Sequence, residues 1–190
     1  MYAILHEGKA NKSEDNNILK LLLKDLELDE KKVKPFGFGN KSNFFKSDNP
    51  RYRELLTEIK EDTITKVLFV VDADYEMNDH KYGGFENTNK ELNKIVDDLG
   101  IKGISDLYIT RDPETNDGYM ETLLLSSIPQ KQKECIENFL DCSEFESKEN
   151  HKAILNQIYI MAYPSKPFDF NHSSFDELKQ KLINLFKEEE

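Results

Sequence analysis

The sequence predicts an α/β fold: a three-layer, Rossmann-like arrangement on a mostly parallel four-stranded sheet ordered 2-1-3-4, with helices closing the C-terminal part. Three observations carry that expectation. Val67 to Val71 is an unbroken apolar run rich in β-branched side chains, the pattern of a strand buried on both faces. Short apolar runs alternate with stretches of helical period, the signature of βαβ units. The intervening segments are also short enough for right-handed crossovers.

In chain order, Tyr2 to His6 is a short apolar strand running into Glu7-Gly8-Lys9, where the glycine permits a tight turn. Ser13 or Asp15 can cap the helix that follows, whose apolar positions Ile18, Leu19, Leu22, Leu23 and Leu26 keep a 3.6-residue period. Lys32 to Phe38 is the second strand, ending at Gly37-Phe38-Gly39-Asn40. This Gly-x-Gly lacks the third glycine of a dinucleotide loop, because position 42 is Ser42. Asn49-Pro50 opens a helix to about Lys60, and the strand over 66–72 follows. A helix from about Asn87 carries Leu92, Ile95, Val96 and Leu99 and stops at Gly100. Asp106 to Thr110 is the fourth strand. Tyr119 to Ile128 is a second apolar run with Glu121 near its start. Helical patterns then cover about 129–141, 147–162 and 173–187, the last capped by Ser173 or Ser174.

Bulk composition bounds the function. A chain of 190 residues suffices for one α/β domain, read here as 1–190 with a core to about residue 128 and a helical extension over about 129–190. No apolar run reaches the ~18 residues that span a bilayer and no basic-then-apolar leader opens the chain, so a cytoplasmic location without membrane contact is expected. Cys135 and Cys142 lie seven apart in a helical pattern and read as reduced, partly packed thiols; His6, His80, His151 and His172 show no zinc spacing. The formal net charge of −11 opposes stand-alone nucleic-acid binding, which normally needs a basic face. A nucleic-acid role therefore calls for a local basic patch, bound cations or a partner protein. Divalent ions suit such a chain, since they bridge acidic protein to phosphate. The sequence leaves a homodimer open.

The chemistry-bearing residues sit at strand ends. Asp72 and Asp74 close the third strand, and Glu7 closes the first. In a 2-1-3-4 sheet these strands are neighbours, roughly 4.8 Å apart, and the crossover direction reverses between them. Three carboxylates at one crevice supply the hard oxygen ligands that Mg²⁺ or Mn²⁺ takes. A solvated acidic turn is the other reading of Asp-x-Asp.

Glu7-Gly8-Lys9 after a first strand, with Asp72-Ala73-Asp74 after the third, resembles the Toprim domain of topoisomerases, bacterial primases and overcoming-lysogenization-defect nucleases. The chain looks closest to small stand-alone Toprim-like proteins of an uncharacterised bacterial and archaeal family. In that group a later segment runs Gly-hydrophobic-hydrophobic-Glu, similar to Gly118-Tyr119-Met120-Glu121 here, and the tail from Ala162 to Phe186 is also similar. The resemblance covers nearly the whole chain. It departs where an acid often follows Glu-Gly-Lys closely: here Ala10 to Ser13 intervene before Glu14 and Asp15.

The resemblance implies metal-dependent phosphodiester chemistry on DNA or RNA, with Mg²⁺ or Mn²⁺ held by Asp72 and Asp74. It makes Glu7 a ligand or the general acid/base, Glu121 a further ligand and Lys9 a phosphate contact. Each has a plainer role available: Glu7 as a helix cap, Glu121 as an exposed helix-start acid, Lys9 as a charge partner. Glu76, Asp79 and Asp112 are outer candidates. Tyr108, Tyr119 and Phe85 are expected in the core. Three other readings stand beside a nuclease: a non-catalytic adaptor subunit of a defence or repair complex, a haloacid-dehalogenase-like phosphatase, and a nucleotide-sugar transferase. The phosphatase pattern puts Thr or Val where this chain has Glu76, and closes the first strand rather than the third.

Overall fold

The computed structural model describes residues 1–8, 14–143, 161 and 168–187. Four strands, β1 (Tyr2–His6), β2 (Val33–Gly37), β3 (Lys66–Asp72) and β4 (Ser105–Thr110), form an all-parallel sheet in the order β2-β1-β3-β4. The helices are α1 (Glu14–Asp25), α2 (Lys41–Phe44), α3 (Pro50–Lys60), α4 (Phe85–Leu99), α5 (Met120–Ser127), α6 (Gln130–Cys142) and α7 (Asp176–Phe186).

Side chains alternate between two faces along each strand, and each face has its own core. Ile4, Leu68, Val70 and Tyr108 pack with α1, α5 and α7, through Leu22, Leu124 and Leu182 among others. Ala3, Leu5, Val67, Phe69, Val71 and Ile109 pack with α2, α3 and α4, through Phe44, Leu55 and Leu92. β3 is buried from Val67 to Asp72 because it lies inside the sheet with helices over both faces. α1 and the α3/α4 pair cover opposite faces, so the winding reverses between β1 and β3. That places a crevice at their carboxyl ends, where open α/β sheets take ligands.

Local chemistry sets the boundaries. The Asn49 side chain accepts the Arg51 N–H at 2.9 Å with Pro50 opening α3. α4 ends at Gly100 in the left-handed region. It begins at Phe85, two residues before the expected Asn87, because Gly84 (φ 83°) turns the chain in without a side-chain cap. α2 is a four-residue helix that periodicity does not reveal; Asn40 caps it by accepting the Asn43 N–H at 3.2 Å. The apolar run over 119–128 is helix α5. Seven of its side chains are buried, so it has no polar face to betray a helical period.

Near the C-terminus Ser173 and Ser174 are not caps but lie in a 3-10 turn, Ser173–Phe175, whose cap is His172 with Nδ1 accepting the Ser174 N–H; α7 follows it without a side-chain cap. Cys135 and Cys142 are exposed thiols, not partly packed ones. Apart from Met161, which is helical, the helix expected over 147–162 lies outside the described residues, as do the Lys9 and Ser13 positions. Among the described residues, no helix is long and apolar enough to cross a membrane.

Candidate functional site

β1 ends one residue before Glu7, and the pairing of His6 with Val70 sets Glu7 beside the last residues of β3. Glu7 Oε1 accepts the Asp72 backbone N–H at 3.1 Å. Asp72, 9 % exposed, turns its own carboxylate toward α5: Oδ1 accepts the Met120 N–H at 3.1 Å. An anion at a helix N-terminus satisfies an orphan donor and faces the positive end of the helix dipole. Asp72 thus ties β3 to α5 while standing at the crevice. Glu121 is the next residue of that helix and is 3 % exposed, so it is not an exposed helix-start acid.

Asp74 stands further out and is partly exposed. Its backbone is in the left-handed region at φ 55°, which a short polar side chain tolerates better than most. Two hydrogen bonds hold it there: Asp74 N–H donates to Gly118 O at 2.6 Å and Gly118 N–H donates to Asp74 O at 3.0 Å. Gly118 is itself at φ 108°, and a Cβ on it would lie 2.3 Å from Thr122 Oγ1. The α5 start and the β3 end are therefore locked together through a position that only glycine fits.

The residue that motif reading missed is Lys41, at the start of α2. Its side chain is buried, and Nζ donates to Ala73 O at 2.6 Å and lies 3.3 Å from Asp74 Oδ2. The same Ala73 carbonyl accepts the Gly84 N–H at 2.9 Å and Thr88 Oγ1 at 3.4 Å. A buried ammonium thus sits at the outer aspartate of the motif, held by the Asp74 carboxylate and the Ala73 carbonyl oxygen. The visible sequence signal was slight: a lysine directly after Gly39-Asn40, in a loop with an incomplete nucleotide fingerprint.

The Tyr119 hydroxyl is pushed well above its ordinary range by burial first, then by Tyr75 and by the charges of Glu121, Asp72 and Asp74. Three of the predicted site residues thus bear electrostatically on one phenol. Tyr75, stacked edge-on to Tyr119 with centroids 5.9 Å apart, is raised by burial and by Asp112 and Asp117. His6 beneath the crevice is held below its ordinary value by burial, which outweighs its contact with Glu7 O.

Of the predicted residues, the fold brings Glu7, Asp72, Asp74 and Glu121 to one sheet edge, with Lys9 outside the described residues. They do not close into a tight cluster: among the described residues, no three His, Cys, Asp or Glu side chains are grouped so as to hold an ion. The outer candidates serve local turns. Asp79 Oδ1 accepts the Lys81 and Tyr82 N–H groups at 3.0 and 3.2 Å, and Asp112 Oδ1 accepts the Glu114 N–H at 2.8 Å. Glu76 lies against Gly84. Tyr108 and Tyr119 are core residues, as expected, while Phe85 is half-buried with the Arg111 guanidinium 4.3 Å from its ring centroid.

No protein-family model, no curated protein and no solved structure matches this chain.

Proposed function

We propose that the crevice between β1 and β3 binds Mg²⁺ or Mn²⁺ and serves phosphodiester hydrolysis on nucleic acid, in the manner of a Toprim-type nuclease. The observation that carries this reading is the Lys41 ammonium at Asp74: oxygens of Ala73 and Asp74 already surround a cation at the switch point of the sheet. The donor set fits a hard divalent ion, being carboxylate and carbonyl oxygen without thiolate or imidazole.

Asp74 and Asp72 are the proposed ligands, with Glu121 behind them, and Asp74 is the one within reach of solvent. When bound, the ion neutralises phosphate charge and lowers the pKa of an attacking water. Glu7 is assigned the proton: it stands beside Asp72 at the strand ends, with Oε1 on the Asp72 N–H. Asp72 holds the N-terminus of α5 and so fixes the wall that carries Tyr119 and Glu121.

The test is cleavage of labelled single- and double-stranded DNA and RNA with Mg²⁺ or Mn²⁺ by wild type and an Asp72→Asn/Asp74→Asn variant. Cleavage confined to the wild type is expected; equal cleavage by both rejects the site. The Lys41–Asp74 pair also favours a second reading, a non-catalytic adaptor in which the ammonium permanently fills the cation position. Metal binding or none, without turnover and with a stable partner in pull-down, marks that alternative.

A further inference from the structure

The proposed hydrolase has an evident difficulty. Its chain carries 37 acidic against 26 basic residues, and polyanions avoid such a surface. The basic residues are unevenly placed, however. Besides the buried Lys41, residues 41–53 contain Lys46, Arg51 and Arg53 against the single acid Asp48, with Arg51 paired to Glu54 at 3.0 Å. This segment forms α2 and the start of α3, and its Lys41 reaches Asp74.

Within it, Phe45 stacks on Tyr82 from the loop after β3, with centroids 4.7 Å apart and planes 26° from parallel. Both rings are partly exposed, and each is followed or preceded in the chain by an exposed lysine. Lys46 follows Phe45, and the Lys81 ammonium lies 4.4 Å from the Tyr82 ring centroid. Two connections anchor this group to the crevice. Lys41, one helical turn before Phe45, reaches Ala73 O and Asp74. Thr88 Oγ1 donates to Tyr82 O at 2.8 Å and also touches Ala73 O at 3.4 Å. The rings and lysines are thus fastened to the same strand end as the aspartates.

We propose that Phe45, Tyr82, Lys46 and Lys81 form the strand-holding surface of this protein, and that its ligand is single-stranded nucleic acid. The lysines meet the phosphates and the exposed ring surface takes an unpaired base. Aromatic faces with flanking cations hold single strands of any sequence, whereas a duplex keeps its base faces inside its own stack. The substrate class rests on the hydrolase reading above; the surface itself does not.

The experiment is fluorescence anisotropy with labelled oligothymidylate and oligouridylate of about sixteen nucleotides, and a duplex of equal length, in EDTA over a range of salt. Wild type binds the single strands more tightly than the duplex. Lys46→Ala/Lys81→Ala weakens binding and lowers the slope of log K against log salt by about 1.4. Tyr82→Ala, with an unchanged circular dichroism spectrum, weakens it roughly five- to hundredfold, and Tyr82→Phe restores it. Preference between the two oligomers separates DNA from RNA as the strand. Absence of wild-type binding, equal duplex binding, or variants that bind like wild type overturns the proposal. Strand binding by a protein that takes up no divalent ion upholds this surface and removes the hydrolase reading alone.

Discussion

Lys41 Nζ lies 3.3 Å from Asp74 Oδ2 across the carboxyl edge of the sheet, joining the second crossover to the end of the central strand. The pair has a side-chain exposure of 10 % at the lysine and 44 % at the aspartate, so the cation is sequestered while the anion remains open to water. A tethered ammonium in that position competes with any soluble cation for the same oxygen.

Lys41→Met keeps the aliphatic stem and deletes the charge. Its expected effect on Mn²⁺ affinity is a gain of about tenfold or more, because an opposing charge at contact distance is removed from Asp74. Folding stability falls by about 1 kcal/mol, since the Ala73 carbonyl loses its ammonium donor but keeps the Gly84 N–H. Calorimetric titration and urea unfolding on one preparation measure both.

Asp72 has two separable duties, and two substitutions tell them apart. Asp72→Ala removes the acceptor for the Met120 N–H and costs about 0.5–2 kcal/mol of stability, as for other helix caps. Asp72→Asn keeps an acceptor oxygen and most of the stability but loses the anion. Thermal unfolding is expected to report the first loss, and metal titration to report both.

Gly118→Ala places a Cβ against Thr122 Oγ1 at a backbone angle of φ 108°. The expected loss exceeds about 1 kcal/mol, and the displaced loop releases Asp74 from its two-bond bridge. Denaturant unfolding checks the stability, and near-ultraviolet dichroism of Tyr119 and Tyr75 follows the loop.

The fold also sets an alkaline limit. Burial pushes the hydroxyls of Tyr52 and Tyr108 far above the ordinary tyrosine value, and Tyr52 donates to Phe44 O at 2.8 Å inside the core. A group whose pKa is raised on folding keeps more protons in the folded state, so its contribution is present below the unfolded value of about 10 and is lost as pH rises beyond it. Absorbance at about 295 nm should show these two phenols ionising only together with loss of helical dichroism.

Much of this was legible in the sequence because it is local. The apolar run Val67 to Val71 announced a central strand, the alternation of runs and helical periods implied a parallel sheet, the resemblance supplied its order, and Glu7, Asp72 and Asp74 stand at the edge those strands imply. The Lys41 pairing was not legible, since it joins residues 32–33 positions apart through a four-residue helix without periodicity. α5 concealed itself by being buried almost all round, and with it the second duty of Asp72 as the acceptor at that helix's start. The sequence placed the carboxylates; which of their oxygens the protein already uses is decided by tertiary contacts.

The most direct test of the central claim is calorimetric titration of Mg²⁺ and Mn²⁺ into wild type, Asp74→Asn and Asp72→Asn. Saturable binding by the wild type that is lost in both variants, with unchanged circular dichroism, is the predicted result. No binding by the wild type, or binding that survives both substitutions, contradicts a divalent-cation site between β1 and β3.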